Sequence, residues 1–356
     1  MSAPQRILIV RLGAMGDIIH AIPAVPLLRL IFPGSQIGWV IEERWSELLR
    51  SRPDAKPLAE AQPLVDFVHL VDTRKWRKNL LARENRKAIT AALQEVRQMK
   101  YDIAIDFQGA IKSAAVAKLS GASKRYGFAD PWEKGASLLY TKRVAVSDTH
   151  VVNRNRQLVA SLAEPGFEAR NGLFTLVLPR GDKKWLEQKL AELEMNSAYA
   201  ILNPGAGWGA KQWPVDRYAE VARALGKDGL CSLVNFGPGE EELAKTVEEK
   251  AEGSAIAAQF TISELIAVTR RARLFIGGDT GPMHLASLLQ LPVVALFGPT
   301  DPARTGPYGT RSIVLRDPSS ITSHKRSRET EAGLLNISSD QVIAAARQLL
   351  AEGERA

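Results

Sequence analysis

A single cysteine, Cys231, stands among the 356 residues of this chain. That excludes an internal disulfide and any thiolate metal cluster, and it fits a reducing compartment. Cys231 itself reads as a small core residue. There are only five histidines, and none falls beside Cys or Asp at a zinc-site spacing. No apolar stretch approaches the about 20 residues that a membrane-spanning helix needs. The opening run Ile7–Val10 is too short for a secretory signal and meets Arg11 and a glycine turn at once. No Gly-Lys-Ser/Thr closes a Walker A loop, and no Gly-x-Ser-x-Gly elbow occurs. The aromatic pattern of an RNA-binding module is missing, so nucleic acid is not an expected partner. Neither a short repeat nor a low-complexity tract is present.

What is there is the composition of a globular protein, 45% apolar and 24% charged, with length for two domains. The net charge of +8 is uneven. Residues 1–180 hold 27 Lys and Arg against 17 Asp and Glu, while residues 181–356 hold 20 against 22. The basic excess therefore belongs to the first half. It is either a solubilising surface or the mark of an anionic partner: nucleic acid, a membrane surface or an acidic substrate.

Strand and helix patterns alternate, which predicts parallel sheets. The first half offers strands at Arg6–Arg11, Ile37–Ile41, Phe67–Val71, Ile103–Phe107 and Lys124–Phe128, with helices at Ile18–Ile31, Arg86–Gln98 and Ile111–Leu119. The pattern restarts after Gly172–Arg180, an extended stretch that reads as the joint. It then runs from a helix at Asp182–Glu194 to a final one at Ser338–Glu352. Two doubly wound α/β domains are expected, 1–175 and 176–356, with ligands at the C-terminal ends of strands in a cleft between them.

Four glycine-bearing turns carry the chemistry. Ile276-Gly-Gly-Asp-Thr-Gly-Pro-Met-His284 is a strand, a tight turn and a helix start. Such a start presents unpaired N–H groups and partial positive charge to a phosphate. Asn203-Pro-Gly-Ala-Gly-Trp-Gly-Ala-Lys211-Gln-Trp-Pro214 lets a backbone approach a ligand closely and delivers a lysine, unless it is a surface loop. Arg11-Leu-Gly-Ala-Met-Gly-Asp17 opens a helix but is not a dinucleotide fingerprint, since the first glycine of G-x-G-x-x-G is Arg11. Asp17 is an N-cap or a general base; His20, on the same helix, is a packed residue or a catalytic one. Asp106-Phe-Gln108-Gly-Ala-Ile-Lys112 would turn Asp106, Gln108 and Lys112 toward the same cleft, or cap a helix. A fifth feature is a basic run, Arg74-Lys-Trp-Arg77-Lys78 with Arg83, Arg86 and Lys87. It is a solvated helix face or a grip for carboxylates and phosphates.

At these residues the chain resembles the lipopolysaccharide heptosyltransferases, glycosyltransferase family 9. The likeness runs over nearly the whole length. It is strongest at Met15–Pro23, Trp39–Glu43, Ile105–Ser113, Pro204–Pro214 and Gly278–His284. Several matches in the right order are more specific than any one motif. Trp39–Glu43, Gln108–Ser113, Ala136–Leu138 and Tyr140 look most like the branch that adds the first heptose to Kdo–lipid A. The other branch takes an acceptor that is already heptosylated and is the alternative.

The resemblance implies a GT-B fold: two Rossmann-like domains, acceptor on the first, nucleotide sugar on the second, with the C-terminal helix returning to the first. It implies an inverting, metal-independent transfer from ADP-L-glycero-β-D-manno-heptose, with no cofactor. Asp17 matches the family's base, and Lys211 the lysine that stabilises departing ADP. Asp279, Thr280, Gly281 and His284 match the donor site, and Glu241 and Phe260 fall near the adenosine positions. Arg74, Arg77 and Lys78 match acceptor-binding cations. Gln108, Lys112, His150 and Arg154 lie in matched or neighbouring stretches and are expected on the acceptor side. Gly13 and Ala14 stand where relatives can carry serines. A monomer working in the cytoplasm, peripheral on the inner leaflet, is the expectation. A nucleotide-binding oxidoreductase and a non-catalytic membrane-surface module are the readings from other classes.

Overall fold

The computed structural model describes residues 6–50, 64–79, 82–164, 183–195, 197–323 and 325–353. The expected joint at Gly172–Arg180 lies outside them. The chain divides into two units, Met1–Pro179 and Arg180–Ala356.

The first unit holds β1 (Arg6–Val10), β2 (Gln36–Glu42), β3 (Phe67–Val71), β4 (Ile103–Asp106), β5 (Lys124–Phe128) and β6 (Lys142–Val144). They pair in the order β3-β2-β1-β4-β5-β6, every pair parallel. The second holds β7 (Tyr199–Asn203), β8 (Cys231–Phe236), β9 (Ala255–Gln259), β10 (Leu274–Gly278), β11 (Val293–Phe297) and β12 (Ser312–Arg316). Their order, β12-β11-β10-β7-β8-β9, is again all parallel. Counted within its own unit, each sheet has the order 3-2-1-4-5-6 of the doubly wound nucleotide-binding fold. Helices cover both faces of such a sheet, so its central strands are apolar throughout. Ile7–Val10, Ala200–Leu202 and Val293–Ala295 are accordingly buried without alternation.

The strand order reverses between β1 and β4 in the first unit and between β7 and β10 in the second. Ligands bind such folds in the crevice outside the carboxyl ends of the strands on either side of this reversal. The four glycine-bearing turns follow β1, β4, β7 and β10. All four motifs thus fall at the two switch points.

Some elements differ from the sequence reading. The single helix expected at Ile18–Ile31 is two helices, Met15–Ala21 and Val25–Ile31, joined by a 3₁₀ turn at Ile22–Ala24. Pro23 and Pro26 lack the N–H that a continuous helix would use. The edge strands β6 and β12 were not anticipated. One is three residues long with Lys142 and Arg143; the other is only half-buried. The terminal helix is Ser339–Gly353. Its buried residues Val342, Ala345, Ala346 and Leu349 belong to the second unit's core, packed with Ala219, Ala222 and Val294.

Candidate active site

In the first unit the turn after β1 fixes Asp17. Arg11, almost fully buried, donates from one guanidinium nitrogen to the Phe107 carbonyl at 2.8 Å. Its other terminal nitrogen meets Asp17 Oδ2 at 2.6 Å. The same oxygen accepts the Ala14 N–H at 3.1 Å. Asp17 is therefore not the N-cap of helix Met15–Ala21 but sits in its first turn, reaching back to the cap residue's backbone. Its side chain stays 46% exposed, so it is anchored on one side and open on the other. Gly13 lies under Trp45, where a Cβ would come within 3.2 Å of the indole nitrogen.

The turn after β4 is structural. Asp106, expected to face a cleft, is instead fully buried. Its carboxyl accepts from Ser113 Oγ at 2.8 Å, the Tyr140 hydroxyl at 2.7 Å, Gln108 N at 2.8 Å and Gly109 N at 3.3 Å. Burial pushes its pKa up, against the pull of these hydrogen bonds. Gly127 is needed beside it, because a Cβ there would lie 2.3 Å from the Tyr140 ring. Gln108 Oε1 accepts the Leu12 N–H at 3.1 Å and so ties this turn to the one carrying Asp17. Lys112 alone of this group is exposed.

The basic run is a short helix, Thr73–Lys78, capped by Asp72, which accepts the Lys75 N–H at 2.9 Å. Arg74, Arg77 and Lys78 point outward, whereas Trp76 packs against the core cluster of Leu8, Val10 and Val40. The tryptophan holds the helix down and leaves the cations available. His150 is the N-cap of helix Val151–Ala160: its Nδ1 accepts the Val152 N–H at 3.2 Å. Its ring stands 6.0 Å from that of His20, one turn beyond Asp17 on the neighbouring helix. Arg154 lies over the Phe128 ring at 5.6 Å. Arg44, missed in the sequence, stacks on Trp45 at 4.7 Å; burial and nearby Arg74 lower its pKa.

In the second unit the turns after β7 and β10 converge. Lys211 Nζ donates to Asp279 Oδ2 at 2.6 Å and to the Asp279 carbonyl at 2.9 Å. His284 Nε2 meets the other carboxyl oxygen at 3.0 Å. Burial alone would raise the Asp279 pKa, but His284 and Lys211 outweigh it and hold the carboxyl well below the usual carboxylate range. A lysine ammonium has three donors; two are spent on Asp279, and one is left for a ligand. Thr280 precedes helix Gly281–Leu288, and its hydroxyl bonds back to the Gly278 carbonyl rather than capping the helix. The helix start is left open to an anion.

The lysine loop is braced from behind. Asn203 accepts from Asn235 Nδ2 at 2.6 Å and donates to the Gly205 carbonyl at 3.0 Å. Gly205 lies against Glu240, where a Cβ would come within 2.1 Å of the carboxylate. Segment Ser319–Leu334, without a role in the sequence, supplies the rest. Ser327 O accepts the Ala210 N–H at 3.1 Å, and Glu331 N donates to the Ala210 carbonyl at 3.2 Å. Arg326 and Lys211 both lie over Trp208, at 5.6 and 4.6 Å. Trp208 Nε1 and Thr300 Oγ1 are enclosed with no hydrogen-bond partner among the described residues. Glu241 is at the surface in an ion pair with Lys245, so it is Glu240 that touches the β7 turn. Phe260, just past β9, stands edge-on to Trp185 at 6.4 Å. Among the described residues no three His, Cys, Asp or Glu are gathered as a metal site requires.

Two Rossmann-like units of one topology, one with an open carboxylate and the other with an anion-binding helix start, define a GT-B glycosyltransferase. The model of glycosyltransferase family 9 (heptosyltransferase) matches residues 89–335, and the chain belongs to that family. It is 30% identical over 315 residues to lipopolysaccharide heptosyltransferase 1 of Pseudomonas aeruginosa, covering 87% of this chain and 83% of that one. Against lipopolysaccharide heptosyltransferase 1 of Escherichia coli K12 it is 29% identical over 324 residues, covering 88% and 94%. Among solved structures, E. coli heptosyltransferase WaaC with ADP superposes with a TM-score of 0.77 at 26% identity over 97% and 99% of the two chains. The family 9 transferase of Veillonella parvula gives 0.80 at 25% over 99% of both.

Proposed function

We propose that this chain moves L-glycero-D-manno-heptose from ADP-heptose to a Kdo hydroxyl of Kdo–lipid A, an early step of lipopolysaccharide inner-core assembly. The observation that carries the reading is the Lys211–Asp279–His284 cluster at an open helix start. The names of the relatives at 29–30% identity support the reaction. The donor is supported by WaaC solved with ADP-2-deoxy-2-fluoro heptose, at 26% identity and a TM-score of 0.74.

In this reading Asp17 removes the proton of the attacking hydroxyl. The acceptor oxygen forms a bond to the anomeric carbon as the bond from that carbon to the diphosphate oxygen breaks. The electron pair leaves with ADP, and the sugar inverts. Arg11 keeps the Asp17 carboxylate aimed, since its guanidinium is itself pinned to the Phe107 carbonyl. Lys211 and the N–H groups at the start of helix Gly281–Leu288 meet the charge that grows on the diphosphate, a preorganised donor set of the kind that most lowers such barriers. Asp279 orients Lys211 without consuming its last donor. No metal takes part in this scheme. Arg74, Arg77 and Lys78 hold acceptor carboxylates and phosphates, with Gln108, Lys112, His150 and Arg154 on the same unit; Glu241 and Phe260 are assigned to the adenosine side. The enzyme acts as a monomer at the inner face of the cytoplasmic membrane.

A mass-spectrometric assay with ADP-heptose and either Kdo–lipid A or its heptosylated form tests the reading. Heptose should be added to Kdo–lipid A. Transfer to the heptosylated acceptor alone would replace it with the second-heptose reading, and transfer to neither would overturn it.

A further inference from the structure

Large exposed apolar side chains are unevenly spread in this molecule. Leu138 is 76% exposed, Trp132 70% and Ile111 51%, and the three belong to one corner of the first unit. Ile111 opens helix Ile111–Leu119; Leu138 is in the 3₁₀ turn Lys134–Leu139. The two elements are laced together. Ile111 N donates to Glu133 Oε2 at 2.7 Å, and Glu133 N donates to the Gly109 carbonyl at 2.9 Å. A Cβ on Gly135 would sit 3.1 Å from Ile111 Cδ1, and one on Gly109 would sit 3.1 Å from Trp132 N. Arg143 donates to the Ser137 carbonyl at 3.0 Å. Around the apolar tips lie Lys112, Lys134, Lys142 and Arg143, all exposed. Two acids share this corner: Glu133, occupied with the start of the helix, and exposed Asp130, so the rim carries four cations against two acids.

A tryptophan and two aliphatic tips rimmed by cations is the chemistry of a protein face that rests in the interfacial layer of an anionic bilayer. The rings and chains enter the acyl boundary, and the lysines meet the headgroups. Single exposed apolar residues need no explanation, but a contiguous patch does. Charge complementarity favours lipid over a second copy of the chain: this unit carries the whole basic excess of the sequence, and a second copy would set like charges against each other. The patch also continues into the proposed acceptor side, because Ile111 and Lys112 are adjacent residues. We infer that Ile111, Trp132 and Leu138, with the cationic rim of Lys112, Lys134, Lys142 and Arg143, form the face that docks this protein on an anionic lipid surface. The docking rests on the proposed function only in so far as a lipid-borne acceptor gives it a purpose.

Flotation of the full chain with phosphatidylcholine vesicles, with and without phosphatidylglycerol, tests this. The wild type should float with the anionic vesicles and be released in part by salt, which screens the rim. Trp132→Ser with Leu138→Ser should weaken the partition by about tenfold or more, as expected for removing two inserted side chains. Unchanged melting would show that the variant is folded. Leu138→Ser alone should keep its turnover on a soluble, delipidated Kdo acceptor and lose turnover on the same acceptor carried in vesicles. Unchanged flotation of the double variant would overturn the inference. So would a wild-type oligomer, seen by light scattering, that the double variant dissolves, since the patch would then bind a second copy. If the wild type transfers heptose to no acceptor while its flotation still depends on the patch, the docking face stands and the enzymatic reading falls.

Discussion

Asp106 pairs with Val10 at the end of the first unit's fourth strand, and Asp279 lies two residues beyond the matching position of the second unit, Gly277, which pairs with Asn203. Each stands at the carboxyl end of the fourth strand of its sheet, beside the switch point, and each is buried. Asp106 is surrounded by hydroxyls and backbone N–H groups, and burial raises its pKa. Asp279 lies between an ammonium and an imidazole, which drive its pKa down. The same end of the same strand therefore builds a strut of raised pKa in the first unit and a carboxylate of lowered pKa in the second. The difference lies in the partners: Ser113 and Tyr140 bring hydroxyls, whereas Lys211 brings an ammonium and His284 an imidazole. In the first unit the carboxylate left open for chemistry is instead Asp17, one strand away, after β1.

The largest test of this contrast is Asp17→Asn. A positioned general base is worth about 10²–10⁴ in rate, so kcat should fall by that order while calorimetry finds ADP-heptose binding intact. Full activity would remove Asp17 from the chemistry. Next is Asp279→Asn, which leaves the buried Lys211 ammonium without its counter-charge. Removing one partner from a buried pair costs about 3–5 kcal/mol, readable in thermal unfolding at neutral pH. The pH dependence has a definite sign. A depressed carboxyl stabilises the fold above its unfolded pKa, about 3.9, and loses that contribution as pH falls toward the folded value. The wild type should thus lose stability below about pH 4, and Asp279→Asn should lose less.

Lys211→Met should lower kcat by about 10²–10³, as for other donors to a developing anion, and should raise the affinity for ADP at no pH. Arg74→Ala with Arg77→Ala should raise the acceptor KM by about tenfold, with the donor KM little changed. An unchanged acceptor KM would return the basic helix to a merely solvated face. The smallest effect on turnover is expected at Asp106→Asn, whose cost falls on stability, about 1–3 kcal/mol for a buried network left imperfectly bonded. Its pH trend should oppose that of Asp279. A raised carboxyl stabilises most below its unfolded pKa and loses that contribution as pH rises through the folded one. The cost of Asp106→Asn should therefore be larger in acid than at neutrality. A loss of turnover as deep as that of Asp17→Asn would instead place Asp106 in the chemistry and end the contrast.

Much of this was legible in the sequence because the signals are local. The strands β3 and β5 fall at their expected residues, since a strand run bounded by turn residues is read from its immediate neighbours. The glycine turns at Gly278–His284 and Asn203–Pro214 announce themselves for the same reason. Other features depend on residues far apart in the chain. Trp76 looked like part of a ligand grip because its neighbours are cations; only its packing on Leu8 and Val10 shows it as an anchor. Glu240 and Glu241 are indistinguishable by pattern, yet one lies against Gly205 and the other against Lys245. Segment Ser319–Leu334 was not legible because its contacts, backbone bonds to Ala210 and Arg326 over Trp208, join residues far apart in the chain.

By itself, then, the sequence determined two α/β units, a basic first half, and four glycine turns bearing Asp17, Asp106, Lys211 and Asp279. Periodicity, charge and turn chemistry are properties of neighbouring residues and survive without a fold. The tertiary structure decided which of these groups would share a carboxylate, a cation or neither. Burial and the distance between Lys211 and Asp279, 68 residues apart in the chain and 2.6 Å apart in space, are set by strand order. That distance is what makes Asp279 an anchor for Lys211, while Asp106, held by Ser113 and Tyr140, is a strut.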